Sequence, residues 1–398
     1  MPEGKIQYFG RIVLVALAKG LSCLYINTGD MMKRFGNLYG QIIDRENLRQ
    51  AHYNARKGKA HYTEVQQVNA NEDYFIDILH RTLRDKTFTT SEYTIFKTYE
   101  PKEREIYKLP YFPDRIAQHA LMQICQPIWD RTFIYDSYAA VPKKGIHAGV
   151  KRLKEFLRDK ENTKYCLKFD ISKFYPNINH DILLSLVKKK IKCEDTLWLI
   201  EDMIRSVPEN RGIPIGNYLS QYLSNVYLND FDHWIKETLK CKYYIRYCDD
   251  AIILNKDKEH LHKVWKEIEK YLSRYLKLKL NSKTQIFPVQ SRGIDFLGYK
   301  TYSPVFSLLR KSSKKKFCRK IKQLTNNPER FGPQHIVSSV MSYLGWMCHC
   351  NAHNLLTKHV LKNDELKTLV QTSSTILGIN NPLMKFQNNW NVKYVEGR

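Results

Sequence analysis

The chain has 398 residues, which at about 150 residues per domain predicts two to three domains. It carries 65 Lys and Arg against 40 Asp and Glu, a formal net charge of +25. A surplus of this size repels itself unless counter-charge binds, so a polyanionic partner is predicted. Hydrophobic residues make up 43% of the chain. That fraction is enough for a packed core and excludes a disordered basic tail.

Nine cysteines, an odd number without any C-x-x-C pair, predict reduced thiols in the cytoplasm rather than a secreted disulfide framework. The cluster Cys348, His349, Cys350 and His353 fits no common zinc spacing, so zinc is the disfavoured interpretation of these four residues. No apolar run approaches the ~18–20 residues of a membrane span. We therefore expect no membrane partner.

The first 30 residues differ from the rest of the chain in their hydropathy pattern. The stretch Ile12–Leu24 is apolar but is interrupted by Lys19. Two interpretations stay open: a poor signal peptide, or an extension ahead of an internal start at Met31 or Met32. The second is favoured, because a basic, polar helical pattern begins there, and no functional prediction uses residues 1–30.

In chain order, residues 31–90 are polar and favour helices. Residues 93–109 alternate between apolar and polar side chains and predict a hairpin with its turn at 100–103. After Pro113, apolar residues at three- and four-residue steps predict a helix over 116–128.

Residues 163–175 alternate again and predict a strand that ends at Pro176, with Lys168 and Asp170 on one face. Asn179 is then the predicted N-cap of a helix. A second hairpin is predicted over 242–255, with Asp249 and Asp250 as its turn. A helix over 258–276, short strands near 278–287 and 294–302, and a basic helical segment from Arg310 complete the pattern. This mixture predicts an α+β fold.

Asp249 and Asp250 are adjacent carboxylates between two apolar arms, in Tyr247-Cys248-Asp249-Asp250. At a buried hairpin tip they would repel each other and lose solvation, unless a divalent cation neutralised them. The alternative is a solvated Asp-Asp turn. Asp170, near the end of another apolar strand, adds a third carboxylate. Hard oxygen ligands suit Mg²⁺, so the three aspartates predict a two-metal site for phosphoryl transfer.

These segments resemble the palm of a reverse transcriptase. Asp170 matches the first catalytic Asp of that family, and Asp249 and Asp250 match its Tyr-x-Asp-Asp pair. Further blocks follow in the family's order: Arg211-Gly-Ile-Pro-Ile-Gly-Asn-Tyr-Leu-Ser-Gln221, Leu278-Lys-Leu-Asn-Ser-Lys283 and Gly293-Ile-Asp-Phe-Leu-Gly-Tyr299. The resemblance covers about Leu38 to His353 and implies a right-hand polymerase with fingers, palm and thumb.

One subfamily is indicated more closely. Most reverse transcriptases carry Pro-Gln-Gly below the nucleotide, whereas this chain has Pro214-Ile215-Gly216-Asn217, then Ser220-Gln221. That block is similar to the reverse transcriptases of diversity-generating retroelements. Three other segments are also similar to them: Gln118-His119-Ala120-Leu121, Gly145-x-His147-Ala148-Gly149-Val150 and Leu308-Leu-Arg-Lys-Ser-Ser313. Such enzymes copy a template-repeat RNA with errors opposite adenine, together with a small basic accessory protein.

The resemblance implies a role for each site residue. Asp170, Asp249 and Asp250, with the carbonyl of Ile171, would hold two Mg²⁺ ions, or Mn²⁺ in their place. Lys102 and Arg104 would contact the phosphates of the deoxynucleoside triphosphate, and Lys283 would protonate the leaving pyrophosphate. Around the sugar and base, the implied residues are Tyr175, which would exclude a 2′-hydroxyl, Ile215, Gly216 and Gln221.

The run from Arg310 to Lys322 is basic and contains no acidic residue. A solvated helix face would show the same pattern, but beside a polymerase palm we favour a thumb that follows the phosphates of an RNA template and RNA–DNA hybrid. The predicted organisation is an uncertain extension over 1–30, interleaved fingers and palm over 31–300, and a basic helical thumb and tail over 301–398.

Several rival functions remain open. A group II intron-type enzyme is disfavoured, because about 100 residues after Tyr299 leave little room for further domains. A retron or abortive-infection enzyme is disfavoured by the block around Ile215. A non-catalytic RNA-binding subunit is disfavoured because all three aspartates are intact.

Overall fold

A computed structural model of the chain describes residues 33–99, 103–207, 209–303 and 305–384. The predicted extension, the start at Met31 or Met32 and the candidate Lys102 lie outside these described residues. The chain divides into two compact units. The first unit takes Met1–Phe133 and Tyr175–Tyr227, and the second takes Ile134–Phe174 and Leu228–Arg398. The predicted division into fingers, palm and thumb stays a prediction.

The first unit is mainly helical. Its helices are α1 (Tyr39–Ile43), α2 (Arg45–Ala55), α3 (Thr63–Ala70), α4 (Glu72–Arg84), α5 (Ile116–Asp130), α8 (His180–Lys188) and α9 (Glu194–Arg205). The short α7 (Phe174–Asn177) and α10 (Tyr218–His233) each contain residues of both units. The predicted N-cap is confirmed, because the side chain of Asn179 accepts a hydrogen bond from the backbone N–H of Ile182.

The two strands of the first predicted hairpin are also confirmed, whereas residues 100–102 of its predicted turn lie outside the described residues. Strands β1 (Thr94–Thr98) and β2 (Arg104–Lys108) pair antiparallel, with Thr98 opposite Arg104. The backbone N–H of Tyr107 in β2 donates to the carbonyl of Ile215 at 3.0 Å. This bond holds the loop before α10 against the hairpin.

The second unit contains an antiparallel four-stranded sheet in the order β4-β5-β3-β6. Its strands are β3 (Tyr165–Asp170), β4 (Tyr243–Tyr247), β5 (Asp250–Asn255) and β6 (Gln285–Pro288). Apolar side chains on one face of the sheet, among them Cys166, Ile245 and Ile252, pack in one buried cluster with Leu153 and Phe156 of α6 (Ile146–Phe156). Burial of this face fixes the register, because a slip of one residue would turn it to solvent.

Three strand predictions need correction. β3 ends at Asp170, and Pro176 lies inside α7 rather than ending the strand. The turn of the second hairpin is Cys248–Asp249, and Asp250 is already the first residue of β5. The predicted strand near 278–287 is regular only over Gln285–Pro288, although Leu280 forms an isolated bridge with Ile171.

The rest of the second unit combines a small sheet with helices. The three-stranded sheet is β7 (Ile294–Phe296), β8 (Tyr299–Tyr302) and β9 (Phe306–Leu309), and the helices are α11 (Lys258–Tyr271), α12 (Val289–Arg292), α13 (Lys311–Asn326), α14 (Pro333–Met347), α15 (His353–Leu356) and α16 (Asp364–Ile376). In α13, Phe317, Ile321 and Leu324 are buried, whereas most of its basic side chains are exposed. The predicted basic helical segment is therefore confirmed as an amphipathic helix.

Helices and antiparallel sheets thus occur together, which confirms the predicted α+β class. Among the residues that the structure describes, no helix is long and apolar enough to cross a membrane.

Candidate active site

Two of the predicted carboxylates meet in the four-stranded sheet. Asp170 is the last residue of β3 and lies directly opposite Asp250, the first residue of β5. Directly opposed residues on antiparallel strands have Cβ atoms about 4.5–5.5 Å apart. Asp249 precedes Asp250 in the turn, and its carbonyl accepts a hydrogen bond from the N–H of Ile171 at 3.2 Å. Antiparallel pairing of β3 with β5 therefore brings the ends of both acidic segments together.

The carboxyl of Asp250 has a shifted pKa. The pKa of its carboxyl is raised to about 6, chiefly by burial; the charge of nearby Lys168 lowers it, and the charges of Asp170 and Asp249 raise it. The Nζ of Lys168 lies 3.5 Å from Oδ2 of Asp250. Within the described residues, Oδ1 of Asp250 is buried and has no hydrogen-bond partner. A buried carboxylate oxygen without a hydrogen-bond partner destabilises the folded state unless a cation or a proton binds it.

Two residues that the sequence reasoning did not assign to the site hold these carboxylates. The side-chain amide of Asn281 donates to Oδ2 of Asp170 at 3.1 Å, and its backbone N–H donates to the carbonyl of Asp170 at 2.8 Å. Lys168 also donates to the backbone carbonyl of Asp295. The alternation of β3 already placed Lys168 and Asp170 on one face, which was the available signal for the lysine. Asn281 lies inside the block from Leu278 to Lys283, in which the resemblance had assigned a role only to Lys283.

Lys283 is exposed, and its N–H donates to the side chain of Asn281 at 3.0 Å. Lys283 therefore lies two residues after Asn281, which contacts Asp170, and just after the bridge between Ile171 and Leu280. The structure thus brings Lys283 into the second unit with the three aspartates and Ile171.

The remaining described candidates belong to the first unit. Tyr175 is half-buried, and its hydroxyl lies 3.4 Å from Oγ of Ser224 in α10. Its carbonyl accepts a hydrogen bond from the N–H of Ile213 at 3.0 Å. The neighbouring Phe174 is buried. Tyr175 is thus the more exposed of the two aromatic residues, and its role at the sugar stays a prediction.

Gly216 has a φ of +115°, a backbone conformation that residues other than glycine rarely adopt. A Cβ added there would lie 3.2 Å from Cγ2 of Ile106 and 3.4 Å from the carbonyl oxygen of Tyr107. The glycine thus allows the loop to approach strand β2 closely. Ile215, beside it, is half-buried.

Gln221 and Arg104 are both exposed. Gln221 lies in the first turn of α10, where its carbonyl accepts a hydrogen bond from the hydroxyl of Ser224 at 2.8 Å. The side chain of Gln221 is therefore not packed in the helical core. Arg104 is the first residue of β2. The Ile215–Gly216 loop contacts β2 at Ile106 and Tyr107, and Arg104 begins the same strand.

The donor set at the ends of β3 and β5 is the kind that divalent cations prefer. It consists of carboxylate oxygens, one of them buried without a hydrogen-bond partner in the described part of the chain. These residues fit a hard ion such as Mg²⁺. Across residues 33–99, 103–207, 209–303 and 305–384, however, no group of three or more His, Cys, Asp or Glu side chains is already arranged to hold a metal ion.

Comparison with known proteins identifies the family. The family model described as reverse transcriptase (RNA-dependent DNA polymerase) matches residues 100–301, just over half of the chain. The matched segment contains all three aspartates and every other candidate named above. The chain belongs to the reverse transcriptase family and has its right-hand polymerase fold.

Individual relatives are more distant. Protein YkfC of Escherichia coli (strain K12) is 25% identical over 234 residues, which are 48% of this chain and 61% of that protein. Group II intron-encoded protein LtrA of Lactococcus lactis subsp. cremoris is 29% identical over 143 residues, 34% of this chain and 23% of that protein. The chain therefore covers less than two thirds of the length of either relative.

Among solved structures, apo telomerase from Candida tropicalis is similar with a TM-score of 0.45 and 12% sequence identity. The match covers 72% of this chain and 57% of that chain.

Proposed function

We propose that this protein is an RNA-directed DNA polymerase of a diversity-generating retroelement. It copies a template-repeat RNA into cDNA with errors directed to adenines. The observation that carries the polymerase assignment is the direct opposition of Asp170 and Asp250 on neighbouring strands, beside the Cys248–Asp249 turn. Membership of the reverse transcriptase family supports it.

Asp170, Asp249, Asp250 and the carbonyl of Ile171 are the groups that would hold Mg²⁺. When bound, the ions would favour deprotonation of the primer 3′-hydroxyl and neutralise charge on the leaving pyrophosphate. The chain's own contribution is to fix the ligands. Asn281 orients Asp170 through two hydrogen bonds, and Lys168 limits the repulsion on Asp250. The contact of Asn281 fixes the direction of the Asp170 carboxylate, and that of Lys168 favours the ionised form of Asp250.

The residues of the first unit would bind the nucleotide. Arg104, exposed at the start of β2, and Lys102 would contact its phosphates, and Lys283 of the second unit would donate a proton to the pyrophosphate. Tyr175 would pack against the sugar and disfavour a 2′-hydroxyl. Gly216 keeps the Ile215 loop against β2, the strand that begins at Arg104. This proposal therefore assigns the fingers hairpin and that loop to one nucleotide-binding surface.

The nucleic-acid partners would be the template RNA and the RNA–DNA hybrid. Helix α13 supports this part of the proposal, because Lys314, Lys315 and Lys316 are exposed on a helix whose apolar side is buried. Lysines in this arrangement bind phosphates without reading sequence. The small basic accessory protein of the retroelement would be a further partner on the same RNA.

The retroelement assignment depends on the Ile215 block. An aliphatic side chain cannot donate a directional hydrogen bond, whereas an amide at this position can. Discrimination between substrates comes largely from polar groups that are left unpaired with the wrong partner. Ile215 would therefore loosen selection of the incoming nucleotide.

Primer extension on a template-repeat RNA with Mg²⁺ tests the proposal. The wild-type protein should synthesise cDNA, and Asp249→Asn should not, although it should fold and bind the hybrid as the wild type does. Asp85→Asn is the matched control, because Asp85 is an exposed residue paired with Arg84 in the first unit. Synthesis by Asp249→Asn at the wild-type rate would refute the site. Sequencing of the products tests the subfamily, since errors should concentrate opposite adenine.

A second candidate is an intron-encoded reverse transcriptase. The similarity to group II intron-encoded protein LtrA favours it. The same sequencing experiment separates the two candidates. Robust synthesis with errors distributed evenly over the four template bases would favour the intron-type enzyme.

A further inference from the structure

We infer that a buried ion pair between Arg246 and Asp232 positions the Tyr247-Cys248-Asp249-Asp250 turn for catalysis. Arg246 lies in β4, just before the turn, and Asp232 lies in α10. The inference rests on the proposed polymerase function, and it concerns two buried residues that are not among the candidate metal ligands. Both would act through the turn, as positioning residues.

Both side chains of the ion pair are buried. The side chain of Arg246 is 1% exposed and that of Asp232 is 0% exposed. Nε of Arg246 donates to Oδ1 of Asp232 at 2.7 Å, and Nη2 donates to Oδ2 at 2.5 Å. Tyr244 donates its hydroxyl to Oδ1 of the same carboxylate at 2.6 Å. Such a two-pronged contact fixes the plane of the guanidinium.

The third guanidinium nitrogen reaches the turn itself. Nη1 of Arg246 donates to the carbonyl oxygen of Cys248 at 2.9 Å. Cys248 has a φ of +53°, in the left-handed region that non-glycine residues seldom occupy. The residue after Cys248 is Asp249, so the direction of this carbonyl sets the path of the chain into Asp249. The bond therefore holds a strained residue in the conformation that the turn requires.

The backbone around Arg246 is fixed from another side. Its N–H donates to the carbonyl of Asp136 at 3.0 Å, and its carbonyl accepts from the N–H of Tyr138 at 3.0 Å. Nη2 also reaches Oγ of Ser137 at 3.3 Å. Arg246 is thus held along its whole length. A rigid support of this kind behind ligand residues keeps reacting groups aligned, and loss of such support costs activity rather than ligand identity.

If the ion pair had only a structural role, a different effect of its removal on activity would be expected. Buried ion pairs are often replaceable by apolar residues of similar volume without loss of stability. If the pair serves only to fill the core, Arg246→Met combined with Asp232→Leu should retain full activity. If it positions the turn, the same double variant should fold and yet lose turnover, because methionine cannot donate to the Cys248 carbonyl.

Three variants test the inference: the double variant, Arg246→Lys and Arg152→Lys. Arg246→Lys keeps a positive charge beside Asp232, but one ammonium cannot occupy the places of three guanidinium nitrogens. Arg152→Lys is the matched control, since Arg152 pairs with Asp136 at 2.8 Å in the same unit and, within the described part of the chain, makes no bond to the turn. Each protein is assayed for thermal unfolding, binding of an RNA–DNA hybrid, kcat, KM for the nucleotide, and the Mg²⁺ concentration for half-maximal rate.

The double variant and Arg246→Lys should each lower kcat by about 10- to 100-fold, with hybrid binding unchanged and a higher Mg²⁺ requirement. Arg152→Lys should match the wild type. Wild-type kcat and Mg²⁺ dependence in either Arg246 variant would overturn the inference, and if the double variant fails to fold, Arg246→Lys alone decides. Absence of synthesis by the wild type would instead refute the proposed function and this inference with it.

Discussion

Replacement of Asp250 by asparagine should stabilise the protein while abolishing synthesis. The folded protein raises the pKa of Asp250 from 3.8 to about 6, chiefly by burial. The folded state therefore keeps its proton to a higher pH than the unfolded chain does. As the pH rises through this window the folded state loses stability, and the loss is complete above about pH 6.

The shift of roughly two pKa units corresponds to about 3 kcal/mol at 1.36 kcal/mol per unit. The side chain is 26% exposed, so solvent screens it only in part. The asparagine side chain introduced by Asp250→Asn would carry no charge at any pH and would avoid this penalty. The contact with Lys168, 3.5 Å away, is already included in this net shift. Partial screening by solvent sets the expected gain at about 1–3 kcal/mol near neutral pH.

Urea unfolding without divalent cations measures this gain. Asp250→Asn should be more stable than the wild type at about pH 7.5, and the difference should disappear below about pH 4. Asp85→Asn, the same chemical change at an exposed residue, should alter stability by less than about 0.5 kcal/mol. A gain that is absent at about pH 7.5, or that persists unchanged at about pH 4, would refute the reasoning from burial.

Three other outcomes are expected. Neutralising Lys314, Lys315 and Lys316 together should weaken hybrid binding and reduce the slope of log affinity against log salt by about two to three units. Ile215→Gln should lower misincorporation opposite template adenine by up to about tenfold, because an amide restores one directional contact; deep sequencing of products from one defined RNA measures this. The pKa of His119 is lowered to about 4, mainly by burial. The stability of the folded protein should therefore decline by up to about 3 kcal/mol as the pH falls from about 6.5 to about 4. Urea midpoints of His119→Phe should depend less on pH than those of the wild type do.

Each of these outcomes has a matched comparison. For the α13 lysines it is a triple neutralisation on the exposed face of α11, which should leave the salt slope nearly unchanged, at Lys263, Lys266 and Lys270. Equal slopes for the two triple variants would show that the α13 lysines do not contribute specifically to binding of the hybrid. Equal adenine error rates, with robust synthesis, would remove Ile215 from the fidelity argument. An unchanged pH dependence in His119→Phe would assign the acid sensitivity to other groups.

The sequence predicted the carboxylate strands well because their signals are local. Alternation in β3 and the apolar arms around Asp249 follow from the period-two geometry of a half-buried sheet. The turn was predicted one residue late. Its position depends on the register in which Tyr247 lies opposite Asp250, and that register places Cys248, rather than a glycine, in the left-handed region. No local propensity indicates that choice.

The supporting contacts could not be predicted for a different reason. Asn281 contacts Asp170 across 111 positions of sequence. Arg246 pairs with Asp232 across 14 positions, from a strand to a helix. Such pairs become visible only when the sheet register and the helix position are known together. Arg246 in an otherwise apolar strand was a signal that a buried partner had to exist, since a buried charge is costly unless it is paired.

The discontinuous second unit has a consequence for biosynthesis. Strand β3 carries Asp170, but both of its partners, β5 and β6, come after the whole second segment of the first unit, Tyr175–Tyr227. About 80 residues separate β3 from β5, which at ~5–20 residues per second leaves β3 without them for roughly 4–16 s on the ribosome. During this interval an apolar strand with two open edges is exposed to other nascent chains. Yield from rapid expression should therefore respond to slower translation or to added chaperones more than the stability of the finished protein would suggest.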